Sequence, residues 1–526
     1  MIKNSLWNYI FIRACIFFLH WIAPLCILYC TIILYIRFFW FLEPASFRVP
    51  LVVEGWVAAE TTFYLFVYIP LKYYLQGPAT HPPPVPREQR RKLFRRCHEN
   101  VLHPERYLSK WFIDAPLSEI KRENIKDFLR WAFLNTGKSD PRDCEELEEY
   151  VEGLEKMLGW KFEDGRGKAK CLRLTLDDVD MFHRSLTWYL VNSQGLNAMR
   201  NILLFGVSTQ GDDTHPCVFV VDVITSGRMM YHSFQFHRTA LLQIPTVFPF
   251  RPVMLLSRRK STAKTLTYWH RPHTSKTRLP ILFIHGIGIG LYPYVNFLAE
   301  LNQDDDFAAT DGQLGIIAVE IMPVSFRITN QALEKDDMCK EIHSILRKHG
   351  WEKVVLVSHS YGSVISTHLL HTQETAEKIT SAVLIDPVSF LLHLPDVAYN
   401  FIYRKPTHAN EHQLYYFASK DMGVSHTLAR RFFWSENILW KEDVEGRNFT
   451  VSLGGKDLIV DTEVVGAYLA GADKESRELG SWKSRPWRGE GLDLLWFQEL
   501  DHAQVFDCKA TRSKLLEVVR AYCAMG

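Results

Sequence analysis

W-E-K-V-V-L-V-S-H-S-Y-G-S, from Trp351 to Ser363, is the stretch on which the fold turns. The run from Val354 to Ser358 has no charge and carries three valines and a leucine, as a strand buried on both faces requires. Small residues then force a tight turn, and V-I-S-T-H-L-L behind them reads as a helix. Strand, sharp turn and helix place Ser360 at the apex. Its hydroxyl is pushed past the sheet edge, in front of unpaired N–H groups and the positive end of the helix dipole. A nucleophile belongs at such a position.

Two residues before and two after the serine must be small, because strand and helix backbones crowd the elbow; Ser358 and Gly362 meet that demand. Ser358 stands where glycine is commoner. With that departure, the segment resembles the nucleophile elbow of the α/β-hydrolase superfamily. Gly206-Val-Ser-Thr-Gln-Gly211 misses the pattern by one position, has no helical pattern behind it, and reads as a turn.

Upstream of the elbow, L-P-I-L-F-I-H-G-I-G-I-G ends a short apolar run, Ile281 to Ile284, in His285-Gly286 and alternating glycines. Backbone N–H groups in such a loop can turn toward a reacting carbonyl oxygen, which is what an oxyanion hole needs. The rival reading, a dinucleotide fingerprint, fails because Leu291 occupies the third glycine position. A helix from Tyr294 to Leu301, a strand from Leu314 to Glu320 and a helix from Leu333 to His349 lead back to the elbow. Further strands are expected at Ser381–Ile385, ending in Asp386, at Phe449–Leu453, ending in G-G-K-D457, and at Leu494–Leu500, ending in Asp501-His502. Strands alternating with helices predict a mainly parallel, doubly wound sheet with functional residues at the strands' carboxyl ends.

Ser360, Asp457 and His502 follow one another in the order the resemblance requires, each just past a strand. The resemblance implies a triad in which His502 accepts the serine proton, Asp457 orients the imidazole, and the N–H groups of Ile287 and Tyr361 receive the oxyanion. Asp386 is the alternative acid. Asp457 is preferred because G-G-K-D-L-I-V resembles the family's loop at that point. His285 and His359 read as supporting residues. No metal or organic cofactor is expected.

Residues 388–445 form an insertion rich in Leu, Phe and Tyr that resembles the lid of lipid-directed members; a packed helical cap without substrate contact is the competing reading. Within it, His408-Ala-Asn-Glu-His412 matches a zinc pattern only formally, since it follows Pro406 in a loop-like setting and lacks a third ligand. His502-Ala-Gln-Val-Phe-Asp507 has the H-x-x-x-x-D spacing of glycerolipid acyltransferases, which keeps acyl transfer open. The sequon Asn448-Phe-Thr450 enters a buried strand and is expected to be unused.

Residues 77–265 read as a mainly helical region without recognisable chemistry, either packed core or a cover over the site, with a strand-like stretch at Cys217–Ile224. An acidic helix from about Asp143 to Leu158 reads as a solvated face. Residues 1–76 read as a membrane anchor. The residues between Arg13 and Arg37 are uncharged, enough for the roughly 20 a spanning helix needs. A second apolar stretch, Val49–Leu71, carries Glu54 and Glu60, each expensive at mid-bilayer without a partner; it spans, lies in the interface, or packs on the body. A proline-rich linker, Pro78–Pro86, leads to R-E-Q-R-R-K-L-F-R-R, whose bias predicts a cytosolic body and contact with anionic lipid, or simply a solvated basic face.

A net charge of +2 argues against a nucleic-acid binder, and ten scattered cysteines without C-x-x-C pairs fit a reducing compartment. The catalytic core is expected at 266–526. The whole reads as a serine hydrolase on an endomembrane, of the endoplasmic reticulum or a lipid droplet, acting on a lipid or other apolar ester. It is similar to anchored members found in fungi. An acyltransferase and a silent membrane scaffold are the alternatives.

Overall fold

The computed structural model describes residues 2, 4–39, 49–190, 218–302 and 311–525. The turn expected at Gly206–Gly211 lies outside them. Helices come first: α1 (Leu6–Phe39), α2 (Leu51–Tyr74, with a π-helical turn at Tyr64–Tyr68), α3 (Arg87–Glu99), α4 (Pro104–Trp111), α5 (Arg122–Leu134), α6 (Cys144–Leu158), α7 (Leu186–Leu190) and α8 (Val218–Tyr231). The strands are β1 (Gln235–His237), β2 (Thr267–Arg271), β3 (Ile281–Ile284), β4 (Ile316–Glu320), β5 (Val354–His359), β6 (Ile379–Ile385), β7 (Asn448–Gly454) and β8 (Leu492–Phe497). Between and after them run α9 (Pro252–Leu256), α10 (Val295–Glu300), α11 (Lys335–Lys348), α12 (Gly362–His371), α13 (Met422–Arg430), α14 (Thr462–Leu469) and α15 (Lys509–Ala524).

The eight strands form one sheet in the order β1-β2-β4-β3-β5-β6-β7-β8. All pairs from β4 to β8 are parallel, while β2 runs antiparallel to β4 and β1 to β2. β5 lies inside the sheet with every residue buried, which is why its sequence is a continuous apolar run. Alternate side chains feed two cores. Leu282, Ile284 and Leu356 pack with α11, α12 and the amino-terminal helices, whereas Phe283, Val355 and Val357 pack with α10 and α15. Each such buried side chain stabilises the fold by about 1.5–3 kcal/mol.

Three expectations need correction. The sheet starts before residue 266, because β1 at Gln235–His237 pairs with an unanticipated β2. The stretch read as a strand to Ile224 is helical from Val218 onward. Its inner face carries Val221, Asp222, Thr225, Ser226 and Met229 at helical spacing, so the buried stripe is half polar and escapes a search for apolar periodicity. Asp222 is held there by Arg251 at 2.8 Å and Arg327 at 3.1 Å, and Arg251 also clamps Glu320 of β4. Third, the basic and acidic helices are partners rather than two solvated faces. Arg87 pairs with Glu145, Arg90 with the buried Glu146 and Arg91 with Glu149, so α3 spends much of its charge on α6.

α1 and α2 are both long and apolar enough to cross a membrane. They pack on each other and on the body. Glu60 is fully buried and accepts hydrogen bonds from the backbone N–H groups of Leu186 and Thr187, so the acidic residue that needed a partner caps α7.

Candidate active site

The elbow is held because both backbone groups of Ser360 are committed. Ser360 has φ of +52°, a left-handed conformation that costs a non-glycine residue about 1–2 kcal/mol. Its N–H donates to the Ile385 carbonyl at 2.9 Å, and its carbonyl accepts from the Ser363 N–H at 2.9 Å and the Ser363 hydroxyl at 2.7 Å. Gly362 is required by close approach: a Cβ there would sit 2.5 Å from the Ile284 carbonyl oxygen. Ser358, the departure from glycine, is accommodated because its hydroxyl accepts a 2.8 Å hydrogen bond from Ser366 on α12. Gly286 carries the same constraint from the other side, since a Cβ would lie 2.8 Å from Ser360 Cβ.

His502 Nε2 lies 2.8 Å from Ser360 Oγ, and His502 Nδ1 lies 2.7 Å from Asp457 Oδ2. The three residues named from sequence are therefore joined in one hydrogen-bonded line. The other oxygen of Asp457 accepts from the N–H groups of Ile459 at 2.7 Å and Val460 at 3.0 Å, which fixes the carboxylate. Both nitrogens of His502 are occupied by these two partners, and Asp507 of the H-x-x-x-x-D spacing is exposed. The amides of Ile287 and Tyr361 donate to none of the described turn and loop backbone hydrogen bonds, and both residues line the same pocket as Ser360.

Asp386 is not bonded to His502, although a carboxylate oxygen comes within 4.8 Å of a ring nitrogen. Instead it accepts the Ala503 N–H at 2.8 Å and faces His359 Nε2 at 3.8 Å. His359 Nδ1 meets the Tyr294 hydroxyl at 2.8 Å, and that hydroxyl accepts the Gly286 N–H at 3.3 Å. This relay ties the β3, β5 and β6 loops together behind the serine; sequence reasoning missed it, because only the fold brings Tyr294 to His359. His285 orients its own loop, with Nδ1 donating to the Gly286 carbonyl at 2.7 Å and Nε2 accepting the Ile321 N–H at 2.9 Å.

Burial opposes a charge on His502, yet Asp457, with help from Asp386 and Asp501, raises its pKa to about 9. Burial likewise favours neutral Asp386, but the neighbouring His359 and His502 rings hold its carboxyl below the usual range. Two buried carboxylates thus share one imidazole.

Above Ser360 opens a slot of about 60 Å³ lined almost wholly by apolar side chains. The insertion supplies Leu392, Phe401, Ile402, Leu428 and Phe432, and the amino-terminal helical region supplies Trp111, Trp131 and Leu174. That region, which has no motif of its own, is thus a wall of the pocket. His408 and His412 do structural work: Glu411 accepts the Thr407 and His408 N–H groups, and the His412 ring packs on Tyr9.

Residues 280–442 match the family model described as alpha/beta hydrolase fold. The chain has the α/β-hydrolase fold. No curated protein matches the chain. Among solved structures, the chain is similar to a membrane phospholipase A described as a bacterial virulence factor, at 11% identity and TM-score 0.34 over 62% of this chain and 96% of the other. It is also similar to naproxen esterase from Bacillus subtilis, at 10% identity and TM-score 0.33, covering 59% and 99%. A 2-hydroxy-6-oxo-6-phenylhexa-2,4-dienoate hydrolase from Rhodococcus sp. strain RHA1 is similar at 14% identity and TM-score 0.32, covering 49% and 95%.

Proposed function

We propose that this hydrolase is a membrane-anchored serine esterase that cleaves an apolar acyl ester through Ser360, His502 and Asp457. The observation that carries the reading is the unbroken line from Asp457 through His502 to Ser360 at the end of an apolar slot. Neutral His502 takes the Ser360 proton as Oγ attacks the acyl carbon. The N–H groups of Ile287 and Tyr361 receive the developing oxyanion, and His502 then protonates the departing alkoxide. Water repeats the cycle on the acyl-serine, returning the acid and free enzyme. Asp457 keeps the imidazole oriented and stabilises its charged form.

The slot's aromatic and aliphatic walls suit an acyl chain and offer nothing to a charged substrate. Two apolar helices supply the anchor, and the basic residues Lys3, Arg13 and Arg87 to Arg96 favour a cytosolic body with α1 and α2 inserted as a hairpin. The test is labelling by a fluorophosphonate. Wild-type protein is expected to label at Ser360, and Ser360→Ala to lose all labelling while keeping its circular dichroism spectrum. Persistent labelling of the variant would dismiss Ser360 as the nucleophile.

A further inference from the structure

A second apolar surface lies on the body, apart from α1 and α2. It is built by the end of α8, the turn Leu241–Thr246 and α9. Tyr231 is 84% exposed, Leu242 90% and Leu256 73%, with Leu241 and Leu255 also more than half exposed beside them. Leu255 and Leu256 run directly into Arg258, Arg259 and Lys260, all exposed and none in an ion pair among the described residues. Large apolar side chains bordered by unpaired cations are the signature of a surface that sits in a lipid interface.

This ledge is riveted to the apolar helices. Glu60 of α2 caps α7, and Trp56 Nε1 donates to Thr187 Oγ1 at 2.8 Å. Phe63 of α2 and Tyr189 of α7 both pack against Phe248, at 5.7 and 5.6 Å between rings. Phe248 stands between the Leu241–Thr246 turn and α9, so whatever depth α2 reaches, the ledge is carried close to it. Moreover, α1 is about 51 Å long at 1.5 Å per residue, well beyond a hydrocarbon core of about 30 Å. Cys30 of α1 contacts Thr61 of α2 at 3.4 Å, so beyond that contact the helices project together for only nine or ten residues each, about 14 Å. That is one leaflet, and it leaves the body pressed to the membrane.

We propose that the ledge is a second membrane contact: Leu241, Leu242, Leu255, Leu256 and Tyr231 enter the headgroup–acyl boundary of the bilayer that holds α1 and α2, while Arg258, Arg259 and Lys260 meet anionic headgroups. The inference rests on the membrane reading above and deepens it, because it makes the body a bilayer-seated unit rather than one on a tether.

The test uses the full chain in phosphatidylcholine vesicles with and without phosphatidylserine, in a Cys30→Ser, Cys144→Ser, Cys171→Ser, Cys217→Ser, Cys508→Ser background whose remaining cysteines are buried. An NBD probe is placed on a single accessible cysteine introduced at position 242, 256, 34 or 479, and lipid-borne doxyl quenchers are added; Leu34 is exposed on the part of α1 beyond Cys30. Near-ultraviolet circular dichroism verifies folding. Positions 242 and 256 are expected to be quenched, more by shallow than by deep doxyl groups and more with phosphatidylserine; position 34 is quenched and 479 is not. Arg258→Glu with Lys260→Glu should remove the phosphatidylserine dependence. Quenching at 34 but not at 242 and 256 overturns the ledge and leaves the anchor standing. No quenching at any of the three overturns both. A blue-shifted, unquenched probe at 242 or 256 overturns the proposal in favour of a protein covering the ledge.

Discussion

Replacing Asp386 by asparagine isolates the second carboxylate. Asn keeps an oxygen to accept the Ala503 N–H and removes only the charge. His502 must be neutral to take the serine proton, and its pKa of about 9 means that activity should climb about tenfold per pH unit toward a plateau on the alkaline side. Asp386 stabilises the imidazolium from within 4.8 Å. At that separation and an effective dielectric of about 20, the attraction is about 3.5 kcal/mol, or about 2.5 pKa units, which is a ceiling because water reaches the pocket mouth. We therefore expect the acid limb of kcat/KM in Asp386→Asn to move down by about one to two units. At pH 7 the variant should then hold a larger neutral fraction of His502 than wild type, while its alkaline plateau falls moderately. The assay is a pH series with a short-chain p-nitrophenyl ester. An unmoved limb would refute the electrostatic argument. A plateau lost by orders of magnitude, with Asp457→Asn spared, would transfer the acid's role to Asp386.

Asp457→Asn should lower kcat by about 10⁴-fold with little change in KM, because the imidazole loses its orienting partner; steady-state kinetics on the same ester check it. Gly362→Ala forces a Cβ to 2.5 Å from the Ile284 carbonyl, a backbone that cannot yield; it should cost about 2–4 kcal/mol, read as a lowered midpoint in urea, and abolish fluorophosphonate labelling. Glu60→Leu leaves the Leu186 and Thr187 N–H groups without their acceptor and should destabilise the α2–α7 contact by about 1–3 kcal/mol, seen as faster amide exchange at residues 186–190.

The sheet-forming half was legible because its signals are local. A parallel strand buried on both faces must be a continuous apolar run, and an elbow must be flanked by small residues, so Val354–Gly362 announces itself without any partner in view. Asp457 and His502 could be named because the residue at the end of a parallel strand is where a doubly wound sheet gathers its site. What the local pattern could not hold is distance. Nothing near Tyr294 says that its hydroxyl meets His359, nor near Trp111 and Trp131 that they wall the serine's pocket, since those meetings come from helices laid across the sheet. α8 was misread for a related reason: its buried face is half polar, with Asp222 held by Arg251 and Arg327, and polar burial leaves no periodic apolar trace. Charge was the other blind spot. The basic run Arg87–Arg96 and the acidic helix that pairs with it are indistinguishable from two solvated faces until the chain folds them together. Composition and periodicity thus determined the parallel strands, the elbow and the apolar helices, whereas the two antiparallel edge strands and the partners of buried polar groups were decided by the tertiary structure, because only packing brings together residues far apart in the chain.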